Sequence, residues 1–351
     1  MKRRLFLKAV GGATGGLALG MEAALGAEPA RPAGDAEAVA GLPRRVLGRT
    51  GQKISVVGFP GLALARNDQK RGTEVLHAAM DRGVNYFDVA PAYGDAQEKM
   101  GIALEGIDRT RYFLACKTNQ RDKEGARKDL ERSLVLLKTD HFDLYQLHHL
   151  RRLDEVKQAL GPSGAMETLL KAKEEGKVRW LGFSAHTTLG AIEALKGFRF
   201  DTVMFPITFA EYFLWGFGKE VLDLAAKEGA AVLAMKAMCR GAWPKDTKQP
   251  AGKWWYPAVE EPEELELAWR FVLSQTPVVA GIPPAVPGLL DKAIDAAKKY
   301  RPITQPELDK LRRIAKTCES LFQKEAVAGR GTGRHAGPML AGCPQACYGI
   351  S

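Results

Sequence analysis

An alternation repeated eight times constrains this chain most. A short apolar run is followed each time by a stretch with helical spacing. The runs predicted as strands are Ile54–Phe59, Tyr86–Val89, Phe113–Lys117, Phe142–His148, Trp180–Ser184, Thr202–Phe205, Ala231–Met235 and Val278–Ile282. Helical spacing follows in 73–81, 98–104, 127–137, a segment ending at Gly176, 189–196, 219–227, 263–274 and 289–299. Strand–helix alternation marks a parallel sheet, because parallel neighbours need a crossover connection. Eight pairs predict an α/β (β/α)₈ TIM barrel, with an open doubly wound sheet as the alternative. Such a barrel takes roughly 250 residues, so a chain of 351 residues has room for a leader and a tail. No Gly-x-Gly-x-x-Gly opens a helix after a strand, which argues against a Rossmann domain.

The flanking segments read differently. Residues 1–27 hold Lys2, Arg3, Arg4 and Lys8, then a run of Gly, Ala, Val and Leu, then small residues near Ala24–Ala27. That order is an export signal, and Arg-Arg-x-Phe-Leu-Lys has the twin-arginine form. It predicts recognition by the twin-arginine export machinery and a periplasmic or cell-envelope location. The apolar run is too short and glycine-rich for a membrane span of about 20 residues. Residues 28–43 are rich in Pro, Ala and Gly and read as a linker. The barrel is expected over 44–322, closing with an amphipathic helix from about Pro306 to Phe322. A Gly-rich tail, 323–351, follows.

Of the net charge of +10, the leader carries +3 (four basic residues against Glu22), leaving about +7. No basic stripe interleaves with aromatics, so nucleic acid is not an expected partner. The five cysteines form no Cys-x-x-Cys pattern. Cys343 and Cys347, four apart in the tail, are equally readable as a disulfide, which an oxidising compartment permits, or as two free thiols.

In a (β/α)₈ barrel the C-terminal strand ends share the face that carries the active site. Four polar residues stand at or just after such ends: Asp88, Tyr93, Lys117 and His148. Around them run Asn85-Tyr-Phe-Asp-Val-Ala-Pro-Ala-Tyr-Gly94 with Glu98 and Gly101, Cys116-Lys117-Thr118, Ser133-Leu134, Asp143-Leu-Tyr-Gln-Leu-His148 and Gly176-Lys-Val-Arg-Trp-Leu-Gly-Phe-Ser184. This ordered set resembles the aldo-keto reductase family, from about Leu47 to about Lys299. The resemblance implies an NADPH- or NADH-dependent oxidoreductase that moves hydride between nicotinamide and a carbonyl or alcohol. Tyr93 would be the proton donor, tuned by Lys117 and Asp88, and His148 would orient the carbonyl. A phenol with an ordinary pKa near 10 can serve if a neighbouring ammonium stabilises its anion. Strand alternation would turn His149 away from the site.

The resemblance also places a cofactor pocket at Ser184, Met204, Met235, Lys236 and Ile282. Here the chain departs from its relatives. Ala185 replaces a common Asn, Met204 a common Gln, and Met235 a common stacking aromatic. After the eighth run, 281–290 holds no Lys or Arg to grip a 2′-phosphate, so NADPH and NADH both stay open. The Trp-rich stretch 241–262 follows the seventh run. It makes Trp243, Trp254 and Trp255 candidates for a substrate-facing loop, suited to apolar or ring-shaped ligands. Two other classes compete with this one. A binding barrel without turnover fits the altered cofactor positions. A metal-dependent hydrolase needs clustered His and Asp ligands, and His148 with Asp88 are too few. Some relatives carry an iron–sulfur tail, but two tail cysteines fall short of four ligands.

Overall fold

A computed structural model describes residues 37–244 and 253–322. The leader 1–27, most of the linker, and the tail with Cys343 and Cys347 lie outside these residues. Strand β1 (Ala38–Val39) already falls within the segment read as linker. It pairs antiparallel with β2 (Leu42–Val46), which pairs with β3 (Lys53–Ser55). Eight parallel strands follow in chain order: β4 (Gly58–Pro60), β5 (Tyr86–Asp88), β6 (Phe113–Thr118), β7 (Phe142–Leu150), β8 (Val178–Ala185), β9 (Thr202–Pro206), β10 (Ala231–Met235) and β11 (Val278–Ile282). A parallel bridge from Val57 to Gly281 and the Gly281 N–H to Val56 carbonyl bond (2.9 Å) bring β11 back to β4. The architecture is therefore the (β/α)₈ TIM barrel.

The predicted first strand, Ile54–Phe59, is in fact two. Asn85 Oδ1 accepts the Ser55 N–H at 2.7 Å, and Ser55 Oγ donates to the Val57 carbonyl at 2.7 Å. These two bonds end β3 and redirect the chain before β4. The hairpin then closes the N-terminal end of the barrel. Leu47 and Ile54 pack with the barrel interior: Tyr86, Phe113, Leu144, Leu233, Val279 and their neighbours. A second, larger apolar cluster lies between the barrel and its helices. Both faces of the strands are thus buried, as near-continuous apolar runs require.

The helices follow the expected positions, with differences at four places. A short helix, Leu62–Ala65, follows β4, and the segment expected to end at Gly176 is two helices, Leu153–Leu160 and Ala165–Glu174. Helix Phe209–Trp215 was not foreseen; Thr208 caps it by accepting the Glu211 N–H at 3.2 Å. The last helix is Gln305–Ala315, shorter than predicted. Beyond Ala315, the Glu319 carbonyl bonds to the Ala242 N–H (2.8 Å), and the Leu321 N–H bonds to Glu211 (2.6 Å). These contacts replace the intrahelical ladder, so residues 316–322 run on as a strap. Among the described residues no helix is long and apolar enough to cross a membrane.

Candidate active site

The C-terminal strand ends bring Asp88, Tyr93, Lys117 and His148 together, all nearly or fully buried. Asp88 ends β5, and Lys117 sits one strand over on β6. Tyr93 lies in the turn beyond β5, where Gly94 takes the left-handed conformation (φ +60°) that glycine favours. Gly61 lets the chain pass close to this turn. Its N–H donates to the Asp88 carbonyl at 2.8 Å, and a Cβ there would lie 2.4 Å from that oxygen.

Lys117 Nζ is the hub. It forms an ion pair with Asp88 Oδ1, donates to the Val89 carbonyl at 3.1 Å and stands 3.3 Å from Tyr93 Oη. Asp88 Oδ2 accepts from Tyr86 Oη (3.1 Å) and Gln146 Nε2 (3.2 Å). A buried charge pair is costly unless its remaining hydrogen-bonding sites are filled; here Tyr86 and Gln146 fill them. Burial and the adjacent carboxylate push the Tyr86 phenol well above its ordinary range, so it stays a donor. The His148 ring meets Tyr93 edge-on, centroids 5.8 Å apart. Burial first, then the Lys117 charge, hold His148 well below the ordinary imidazole pKa. His148 is therefore neutral near pH 7, with one N–H to donate, and its buried Nδ1 has no hydrogen-bond partner among the described residues.

These residues open onto a cleft of about 620 Å³, part of it open to solvent. Asp88, Tyr93 and His148 form one side. Ser184, His186, Met204, Met235, Lys236 and Ile282 stand opposite, with Pro283, Pro284 and Ala285 beyond them. Trp254, Trp255 and Tyr256 overhang the cleft. Trp243 does not line it. Its indole N–H donates to the Trp254 carbonyl at 3.2 Å, so it pins the loop.

A family model, the aldo/keto reductase family, matches residues 57–265, more than half of the chain. The chain belongs to the aldo/keto reductase family. It is 32% identical over 157 residues to L-galactose dehydrogenase of Arabidopsis thaliana, covering 40% of this chain and 47% of that protein. An aldo-keto reductase of Bacillus subtilis is 29% identical over 214 residues, covering 55% and 61%. The chain thus spans about half the length of the curated relatives it matches. A solved aldo-keto reductase of Bacillus halodurans, in its holo form, superimposes with a TM-score of 0.62 at 22% identity, covering 79% of this chain and 98% of that one. Glycerol dehydrogenase of Gluconobacter oxydans gives 0.61 at 24% identity, covering 80% and 97%. At these identities the structural likeness speaks for the fold.

Aldo/keto reductases use a nicotinamide dinucleotide, and the wall opposite the tetrad suits such a ring. Met204, Met235 and Ile282 offer an apolar surface, and a thioether packs well against a ring face. Ser184 Oγ accepts the His149 N–H at 2.7 Å. A hydroxyl has one donor and two acceptor sites, so Ser184 keeps its proton to offer a carboxamide oxygen.

Three residues near the site were missed from sequence. Tyr86 and Gln146 stand two before Asp88 and His148, so period-two spacing could have put them on the same face. His186, one residue beyond β8, gave no such signal. Its Nε2 is 2.8 Å from Lys236 Nζ and 2.9 Å from Met235 Sδ. Burial and then the Lys236 charge lower its pKa, so it accepts from the ammonium. His149 lies outside the cleft lining, on a stretch where β7 is irregular. Its φ is +64°, and Arg121 binds both the His148 and His149 carbonyls (2.8 and 3.1 Å). The His149 ring packs on His186 at 4.7 Å, behind the cleft. Lys236 is also left-handed (φ +60°). Such conformations cost about 1–3 kcal/mol and gather at functional sites.

Proposed function

We propose that this chain is an NAD(P)H-dependent aldo-keto reductase that interconverts a carbonyl and an alcohol, with Tyr93 as the proton donor. The observation that carries it is the Lys117 ammonium, bonded to Asp88 and 3.3 Å from Tyr93 Oη. A bound nicotinamide supplies or takes up hydride. The chain's own residues do the rest. Tyr93 Oη gives its proton to the carbonyl oxygen, and the ammonium beside it stabilises the phenolate left behind. Asp88 pairs with Lys117 and aims it, and Tyr86 and Gln146 hold Asp88. Neutral His148 donates a hydrogen bond to the same substrate oxygen. Ser184, Met204, Met235, Lys236 and Ile282 hold the cofactor. Trp254 and Trp255 form the substrate wall. Indole faces stack on carbohydrate and aromatic rings alike, and a relative is named for a sugar, L-galactose. A sugar-like carbonyl or alcohol is the substrate class we favour.

Fluorescence titration of the folded protein with NADPH and with NADH tests this reading. Micromolar or tighter binding of either supports it, and the tighter of the two names the cofactor. Binding of neither, by protein free of retained nucleotide, would move the assignment to a barrel without turnover.

We further propose export through the twin-arginine machinery to the periplasm or cell envelope, on the strength of Arg3 and Arg4 in the leader. Arg3→Lys with Arg4→Lys should hold the protein in the cytoplasmic fraction; unchanged fractionation would defeat the proposal.

A further inference from the structure

Glu211 is fully buried and takes no part in the tetrad or the cleft wall. It lies on the short helix Phe209–Trp215 and binds residues more than a hundred positions away. Its Oε2 accepts from Ser320 Oγ at 2.7 Å, and its Oε1 from the Leu321 N–H at 2.6 Å. Burial raises this carboxyl's pKa, while bonds from Ser320 and the backbone of Leu321 and Phe322 act against the rise. A carboxylate offers two accepting oxygens to these donors; an amide offers one.

The strap held in this way carries the fully buried Phe322. Its ring lies parallel to that of Phe217, 4.9 Å away and 7° from coplanar. On the cleft side it faces the His186 imidazole at 6.4 Å and 16°, and Lys236 Nζ is 5.8 Å from its centre. His186 and Lys236 line the cleft, and Phe322 stands behind them. The strap also grips the loop after β10. Glu319 accepts from Ala242 at 2.8 Å, and a Cβ on Gly241 would lie 1.9 Å from the Glu319 carbonyl oxygen.

We propose that Glu211 is a positioning residue: it latches the 316–322 strap so that Phe322 fixes the His186 imidazole and the Lys236 ammonium at the cleft wall. This rests on the reading of that wall as the cofactor site. The latch sets ligand affinity and leaves proton transfer at Tyr93 to the other wall.

Two variants of the full chain test it, each first shown to be folded by its thermal transition. Glu211→Gln removes one acceptor and the charge; Phe322→Leu keeps the latch and removes the ring. Histidine-ring NMR reports His186 without any ligand. The latch predicts a shifted His186 ring signal in Glu211→Gln. It also predicts NADPH or NADH binding weakened by about tenfold in both variants, equivalent to about 1.4 kcal/mol. KM for the cofactor should follow, with kcat unchanged. An unmoved His186 signal in Glu211→Gln, or wild-type nucleotide affinity in both folded variants, would overturn the proposal. So would a fall in kcat with affinity unchanged. If the wild type binds neither nucleotide, the oxidoreductase reading fails separately, and the His186 signal alone decides the latch.

Discussion

The two walls of the cleft are built on opposite principles. The wall from β5 to β7 is a closed polar network: Lys117 pairs with Asp88, and Asp88 is held by Tyr86 and Gln146. The wall from β8 to β11 is mostly apolar, with Met204, Met235 and Ile282 around Ser184, His186 and Lys236. A proton can be moved only by particular groups at particular distances, so the first wall tolerates little change. A flat ring can rest on many apolar surfaces, so the second can drift. The comparison predicts steep losses from single changes on the first wall and shallow ones on the second.

Tyr93→Phe should show the largest effect. It removes the proton and leaves the ring that meets His148. Positioned acid–base groups contribute about 10²–10⁴-fold, so kcat for carbonyl reduction should fall by that factor while dinucleotide affinity holds. A drop of under tenfold in steady-state kinetics would put the proton elsewhere. Lys117→Met comes next. It leaves the Asp88 carboxylate buried beside neutral donors alone, and stripping one partner from a buried pair costs about 3–5 kcal/mol. Urea denaturation reads this directly. A loss under about 1 kcal/mol would mean that the network is less closed than its distances imply.

Three buried histidines, two in the walls and one behind the cleft, give a pH signature. His148, His149 and His186 all have pKa values lowered in the fold, with burial the leading cause. In the unfolded chain each titrates near 6.5, so the unfolded state takes up protons first as pH falls. The stability they contribute is complete above about pH 6.5 and drains away below it, by up to about 1.4 kcal/mol per pH unit for each residue. His149→Gln, which leaves the cleft lining intact, should flatten the slope of unfolding free energy between pH 6.5 and 5 by up to that amount. An unchanged slope would show that His149 is protonated in the fold.

The same contrast explains how far the sequence could be read. The barrel was legible because eight apolar runs recur at helix-length intervals, and two-faced burial leaves that mark on every strand. Asp88, Tyr93, Lys117 and His148 were legible as a group because each stands at or just after a strand end and the ordered motifs around them resemble the aldo-keto reductase family. Tyr86 and Gln146 were within reach of period-two spacing. Ile54–Phe59 looked like one strand, since nothing local shows that Asn85, thirty residues on, will bind Ser55. Glu211 drew no expectation from sequence, because its partners Ser320 and Leu321 come from the far end of the chain. Trp243 had the right residue type and the right loop, but its indole N–H is spent on the Trp254 carbonyl. Tertiary hydrogen bonds decided each of these cases, and periodicity does not record them.

The smallest effect is expected at Met235, and it probes the second wall most directly. If that wall is a surface for a ring, the sulfur of Met235 is incidental, and Met235→Leu conserves volume and apolarity. Such swaps usually cost less than about 1.5 kcal/mol. Dinucleotide affinity should then stay within about threefold of wild type, equivalent to about 0.6 kcal/mol. The sulfur, however, lies 2.9 Å from His186 Nε2 and 3.3 Å from Lys236 Nζ. Were it to help hold these two groups, Met235→Leu would weaken binding by tenfold or more in the same fluorescence titration and shift the His186 ring signal. That outcome would end the contrast between the walls, because the second would then be a network too, organised around a thioether and an imidazole in place of a carboxylate.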